Sequence, residues 1–206
     1  MFDLKVKATF TEECLGTAAG DPEIHEGYIA SRAPDAASTA EEVEALGVEA
    51  VIAKGKTIFP KENGVPFVWD YQIKGHFKGA CGALIRIKET LNLGDFGYQS
   101  KKNKVAYKKI IDGMIFPNPR KIIMTLPEGG VIGSCQRPIR MGGPKGDVVA
   151  LANSESTPAG TTIEFNIEML TDYTDLVKEW LDYGKFVGLL QWRNSGKGRF
   201  SYEIIT

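Results

Sequence analysis

The chain is poor in the residues on which much protein chemistry depends. It carries three cysteines in 206 residues, Cys14, Cys81 and Cys135, and their scatter argues against a disulfide framework and suits a reducing cytoplasm. Two histidines, His25 and His76, are its whole supply. With no CxxC and no paired-histidine spacing, the common zinc arrangements are excluded, and no metal or other cofactor is expected. Neither histidine neighbours a nucleophile motif, so a Ser-His-Asp triad has no starting point. The phosphate loop GxxxxGK[ST] is missing, as is a GxGxxG following a strand, which removes the usual nucleotide-binding turns. No apolar run approaches the roughly 20 residues of a membrane span. The opening segment, Met1 to Lys7, alternates instead of forming the apolar block of a signal peptide.

What is present is a globular composition with an uneven charge. Hydrophobic residues make up 43% of the chain, enough for a sizeable core, and 23 glycines fit many turns and short strands. The net charge of -1 conceals segregation. Residues 1–50 hold 3 Lys/Arg against 11 Asp/Glu, residues 51–150 hold 17 against 7, and residues 151–206 hold 5 against 8. The basic middle includes Lys101, Lys102, Lys104, Lys108 and Lys109, with Tyr98 and Tyr107 nearby. A basic stretch interleaved with aromatics is the electrostatic footprint of a polyanion binder; the bland alternative is a solvated charged loop.

Periodicity supplies the order of elements. Phe2, Leu4, Val6, Ala8 and Phe10 alternate with polar neighbours, a half-buried strand over 2–10. Residues 14–36 form a long loop, and a capping-box start at Ser38 or Thr39 opens a short helix that ends near Lys54-Gly55. A strand at 57–60, an Asn63-Gly64 turn and a strand from Val65 to Ile73 follow. Phe77, Ala80, Cys81, Leu84 and Ile85 recur at helical spacing, giving a helix over about 76–88. Residues 90–104 read as a Gly- and Lys-rich loop. Strands are expected at 105–116, 120–126, 131–140, 147–152 and 161–170, although Tyr107 to Ile111 also fits a helical turn. A last helix over 172–186 carries Leu176, Val177, Trp180, Leu181 and Gly184 on one stripe. This order is compatible with an α+β, ferredoxin-like (RRM-like) βαββαβ core. The expectation is one domain over 1–206, with an inserted loop and helix at 14–56 and an inserted basic loop and β-hairpins at 90–160.

The densest functional signal lies at the end of the chain. Trp192-Arg193-Asn194-Ser195-Gly196-Lys197-Gly198-Arg199-Phe200 is a cationic, glycine-rich loop that feeds an alternating terminal strand. Gly196 and Gly198 permit close backbone approach, and Arg193, Lys197 and Arg199 supply positive charge, a plausible seat for phosphates. A glycine-containing turn with solvated charges is the competing interpretation.

Three stretches in order resemble the RAMP superfamily, and within it the backbone subunits of CRISPR effector complexes. Asn63-Gly64-Val65-Pro66-Phe67 with Ile73-Lys74-Gly75-His76-Phe77-Lys78-Gly79-Ala80 is similar to that family's strand, glycine turn and following helix. Glu155-Ser156-Thr157-Pro158-Ala159-Gly160-Thr161 is similar to its turn before the penultimate strand, and the terminal loop to its glycine-rich loop. The chain departs from the pattern at Lys74, where the family has proline, at His76-Phe77, where it has two serines, and at Gln191-Trp192, where it has two glycines. The whole chain also resembles proteins of tailed phages, which suggests a viral origin and a host-cytoplasmic location.

The resemblance implies a sheet that holds RNA backbone, often in head-to-tail self-assembly. The partners expected are therefore RNA or a nucleotide ligand, further copies of the chain, or a host defence complex, and no membrane. The expected contacts are a helix N-terminus at Gly75-His76 flanked by Lys74 and Lys78, the terminal loop, and Arg137 and Arg140 on a hairpin acting as a clamp. Trp192, Phe77 and Tyr98 are candidates for base stacking. The preferred reading is a non-enzymatic binder. Alternatives are a phage counter-defence protein that sequesters a nucleotide signal or mimics a CRISPR subunit, a self-assembling structural protein, and an endoribonuclease. The last would use Asp21 or Asp35 in the first long loop, or His25 or His76 as general acid/base.

Overall fold

A computed structural model describes residues 1–20, 55–85, 106–143 and 146–205. These fall into two compact units, one of Met1–Cys14, Lys61–Val131 and Thr157–Thr206, the other of Leu15–Pro60 and Ile132–Ser156.

The first unit is built on β1, Phe2–Phe10, whose alternating pattern places Leu4, Val6, Ala8 and Phe10 on a buried face. It lies between β11, Thr162–Met169, and β12, Phe200–Ile204, antiparallel to both, with Val6 opposite Phe165 on one side and Ile204 on the other. The sheet continues from β11 through β8 (Lys121–Thr125) and β6 (Val65–Trp69) to β5 (Lys61–Glu62). A further strand, β7 (Ile115–Asn118), pairs with the far end of β11. The order is β12-β1-β11-β8-β6-β5, and every pairing in it is antiparallel. As the Asn-Gly pair predicts, β5 and β6 join through Asn63 and Gly64 at φ 50° and 82°, the positive values that a two-residue hairpin needs.

Three helices occur in this unit among the described residues: α1 (Asp70–Leu84), α2 (Ala106–Met114) and α3 (Thr174–Asp182). α1 and α3 bury Ile73, Phe77, Ala80 and Cys81 against Leu176, Val177, Trp180 and Leu181, with the Phe77 and Trp180 rings 5.6 Å apart. Both helices reach β12, through a His76–Phe200 ring contact at 5.3 Å and a hydrogen bond from the Tyr202 hydroxyl to Lys178 O. Each large side chain fully buried here contributes about 1.5–3 kcal/mol, and Trp180 is fully buried. The opposite face of β1 and β11 carries Lys5, Lys7 and Thr9 beside Asn166, Glu164 and Thr162, pairs typical of a solvated sheet face.

Three expectations change here. The strand from Val65 stops at Trp69, and the helix begins at Asp70 rather than near His76. Val65, Phe67, Trp69, Tyr71 and Ile73 alternate, which mimics a longer strand, and Gly75 looks like a breaker. The Gln72 side chain decides the matter, its Oε1 accepting the Trp69 N–H at 2.8 Å and closing the first turn. Likewise 105–116 is mostly α2, entering β7 only at Ile115. The last helix is shorter than 172–186, ending at Asp182 and continuing as a 3₁₀ turn over Tyr183–Lys185.

In the second unit β9 (Gly133–Gly143) and β10 (Gly146–Thr157) form a long antiparallel hairpin. The sheet order is β2-β10-β4-β3, where β2 is Cys14–Leu15, β3 is Ala18–Ala19 and β4 is Thr57–Ile58. Glu155 ties it together: its carbonyl accepts Gly16 N–H and its carboxylate accepts Phe59 N–H. The expected helix from Ser38 to Lys54 lies outside the described residues.

Candidate functional site

The N-terminus of α1 is already satisfied. Besides Gln72 at Trp69 N–H, the Asp70 carboxylate accepts the Tyr71 N–H at 2.7 Å, and the Asp70 N–H donates to Arg120 O at 3.1 Å. A carboxylate sits where an incoming anion would, favoured there by the helix dipole. Gly75 and His76 lie in the second turn, where backbone N–H groups are used inside the helix. The expected phosphate seat at a Gly75-His76 helix start is therefore replaced by something else: a helix face without side chains. Gly75 and Gly79 are exposed, and a Cβ added at either would meet nothing within 4 Å.

Beside that face stand two lysines bound to α2. Lys74 Nζ donates to Asp112 O at 3.2 Å and lies 4.9 Å from the Phe116 ring centroid. Partial burial is the main cause that holds its pKa below the ordinary lysine value. Lys78 pairs with the Asp112 carboxylate at 2.6 Å.

The terminal loop is tightly woven. Leu189 N–H donates to Gly198 O, Gly198 N–H to Glu13 O and Thr11 N–H to Arg199 O, at 2.9, 2.8 and 2.8 Å. Gly198 has φ 68°, and an added Cβ there would fall 2.1 Å from Leu189 O. At Gly188 the same addition would strike the Gly198 carbonyl carbon at 2.1 Å. Two of the three cations serve this weave. Lys197 forms a salt bridge with Glu13 and lies 5.9 Å from the Trp192 ring centroid, while Arg199 Nε donates to Phe186 O at 3.2 Å. Gly196, at φ 83°, closes the 3₁₀ turn Arg193–Ser195. That turn holds Arg193 and Asn194 at the surface, next to Trp192, which is 37% exposed.

The first and last motifs meet at one cleft. His76, Gly79 and Ala80 of α1 line a space of about 200 Å³ together with Arg193 and Asn194 of the terminal turn and with Tyr183 and Val187. On the other side of Gly79 a wider, open depression of about 680 Å³ is lined by Lys78, Gly82 and Ala83 of α1 with Tyr107 and Lys108 of α2. Gly79 borders both, so the bare helix surface is flanked by Arg193 on one side and by Lys78 and Lys108 on the other. The Glu155–Gly160 motif lines neither space. It supports the terminal loop indirectly: Gly160 N–H donates to Phe10 O, and the next residue, Thr11, binds Arg199 O.

His76 belongs to the core. It is 3% exposed, and its Nε2–H donates to Trp180 O at 2.9 Å, which places the proton on that nitrogen. Burial lowers its pKa to about 4, against a raising effect of the Trp180 carbonyl and a further lowering by the Arg193 charge. Its neutrality thus comes from desolvation and not from a helix start. Phe77 is fully buried, so it is not placed to stack on a base. Arg137 and Arg140 stand on β9 opposite Ala152 and Val149, in the second unit, and the side chain of Arg140 lies outside the described residues. Asp21, Asp35, His25, Tyr98 and Lys101 to Lys104 also lie outside them. Among the described residues, no group of three His, Cys, Asp or Glu side chains could hold a metal ion. Asn194 is a lining residue that the sequence does not single out, while Tyr107 and Lys108 belong to the basic, aromatic stretch that it does.

No protein-family model matches the chain, and no curated protein matches it. Solved structures do. A chain of the Type III-B Cmr-beta complex, bound to cognate target RNA, aligns with 99% of this chain at a TM-score of 0.54 and 12% identity. This chain spans only 60% of that chain's length. Cmr6 from Pyrococcus furiosus aligns at a TM-score of 0.50 and 11% identity, covering 98% of both chains. These neighbours are RAMP-type CRISPR subunits, and this chain shares their fold, as the motif resemblance implies.

Proposed function

We propose that this protein is a non-enzymatic binder of RNA or of a nucleotide, which holds phosphates in the cleft between α1 and the terminal turn. One observation carries the reading. Arg193 and Asn194 share a cleft with an exposed point of the helix, Gly79, where the missing side chain lets a ligand backbone approach closely. Lys108 continues the positive lining beyond Gly79, beside Lys78, whose charge is shared with Asp112. The role given to a helix N-terminus passes to this surface, because Asp70 occupies the true N-terminus. The Cmr-beta neighbour, solved with target RNA, supports the ligand class. We read β1, α1, β8, β11, α3 and β12 as a βαββαβ core, interrupted between β1 and α1 by residues 15–60 and the β5–β6 hairpin, between α1 and β8 by α2 and β7, and between β8 and β11 by the β9–β10 hairpin.

The test is a mobility-shift titration with short RNAs and nucleotides at several salt concentrations. Affinity should fall as salt rises, because phosphate contacts release counterions. Protein purified from cells should carry excess absorbance at 260 nm. No binding to RNA or nucleotide even at low salt would overturn the proposal.

A further inference from the structure

At the start of α1 lies a group of side chains that the cleft does not use. The rings of Trp69 and Tyr71 are stacked, 16° from parallel with centroids 6.1 Å apart. Arg120, between β7 and β8, sets its guanidinium 5.2 Å from the Trp69 centroid and 5.3 Å from the Tyr71 centroid. Its position is fixed by a salt bridge to Asp70, whose backbone N–H in turn donates to Arg120 O. Beneath, Phe67 meets Trp69 edge-on at 4.8 Å and is itself capped by Lys121 at 5.6 Å.

This stack is braced by its neighbours yet reaches solvent. Tyr71 is 52% exposed, and the Arg120 side chain is 63% exposed. So exposed a tyrosine gains little from burial. A rigid aromatic pair with an exposed guanidinium over its rings matches the flat π-surface of a nucleobase, which stacks on Tyr, Trp and Arg planes alike. The position is also telling. Tyr71, Gly75 and Gly79 are spaced i, i+4, i+8, on one face of α1. Tyr71 therefore stands about 12 Å along the helix from the cleft. Between them Gly75 presents no side chain, and space beyond it is open.

We infer that Trp69, Tyr71 and Arg120 form a base-stacking platform for single-stranded RNA whose backbone passes over Gly75 from the Gly79 cleft. The inference rests on the RNA reading of that cleft and narrows the ligand to a strand with unpaired bases. Tyr71 supplies the exposed ring, Trp69 backs it, and Arg120 adds a cation beside the base. Duplex RNA keeps its bases inside its own stack and cannot use the platform.

The test compares a short labelled single strand with its duplex, using wild type, Tyr71→Ala, Tyr71→Phe and Arg193→Ala, each first checked for native thermal unfolding. Tyr71→Ala should weaken single-strand binding roughly 5- to 100-fold, while Tyr71→Phe keeps it. The salt slope should stay unchanged in Tyr71→Ala and shrink by about one in Arg193→Ala, since stacking releases no counterions. The wild-type preference for single strand over duplex should vanish with the ring. If wild type binds RNA through Arg193 and Tyr71→Ala binds equally well, the platform is overturned and the cleft stands. A self-association that only Tyr71→Ala abolishes, with RNA binding intact, assigns the stack to a protein contact and also overturns it. If wild type binds no RNA at all, both proposals fall.

Discussion

Glycines do opposite work in the two motifs that meet at the cleft. In the terminal loop the fold requires them: Gly198 has positive φ and Gly188 touches its backbone, so neither position has room for a Cβ. On α1 the fold does not require them. Gly75 and Gly79 stand in open space within a regular helix, where alanine would be the more stable choice. A glycine that folding would rather replace points to something outside the chain, and a glycine with no alternative points only inward. By this measure the terminal loop is chiefly a scaffold that presents Arg193, and α1 is the surface it faces.

The contrast can be broken most severely at the loop. Gly198→Ala combines a left-handed backbone with a clash against Leu189 O, and should cost about 3 kcal/mol or more, read as a lowered urea midpoint. A variant of native stability would show that the weave is not rigid.

Next comes the histidine between the two regions. His76 has a folded pKa lowered to about 4 from 6.5, so the unfolded chain binds the proton more readily. Stability attributable to neutral His76 is complete above about pH 6.5 and is lost as the pH falls through about 4. The loss is on the order of 3 kcal/mol. Denaturation midpoints of wild type and His76→Gln over this range should differ in slope, with the steeper acid loss in wild type. Parallel slopes would mean that the ring is not desolvated as described.

Arg193→Ala should leave unfolding unchanged, because the side chain is exposed, and should weaken RNA binding by about tenfold with a reduced salt slope. The smallest effect is the most discriminating. Gly79→Ala should raise stability by roughly 0.5–1 kcal/mol, through helix propensity alone. Gly79→Leu should fold equally well yet reduce RNA binding. If Gly79→Ala instead destabilises, α1 is covered by the protein itself and is not a ligand surface.

The sequence carried part of this. β1 was legible because its outer face meets water, so alternation survived, and the Asn63-Gly64 hairpin because positive φ leaves few residue choices. Periodicity starts α1 six residues late because its first turn continues the alternation of β6, and the deciding contact, Gln72 to Trp69, is a side-chain geometry that no periodicity encodes. α2 is ambiguous between strand and helix because Ile110, Ile111, Met114 and Ile115 make a short apolar run common to both states. At the site, the glycines and cations were visible, but their division of labour was not. Only tertiary structure shows that Lys197 and Arg199 spend themselves on Glu13 and Phe186 while Arg193 looks across at α1. The Trp69–Tyr71–Arg120 stack was invisible for the same reason, its third member lying far along the chain.

The position of β1 has a consequence for how the molecule comes into being. Its neighbours in the sheet are β11 and β12, so Val6 waits for Phe165 and Ile204 before either edge is paired. During synthesis β1 leaves the ribosome long before them, with Leu4, Val6, Ala8 and Phe10 uncovered and two open strand edges. Closing such distant pairs is slow compared with making local contacts. A nascent chain of this design is an aggregation hazard until its last strand arrives, and yield in expression should depend more on chaperone supply and temperature than on the stability of the finished fold.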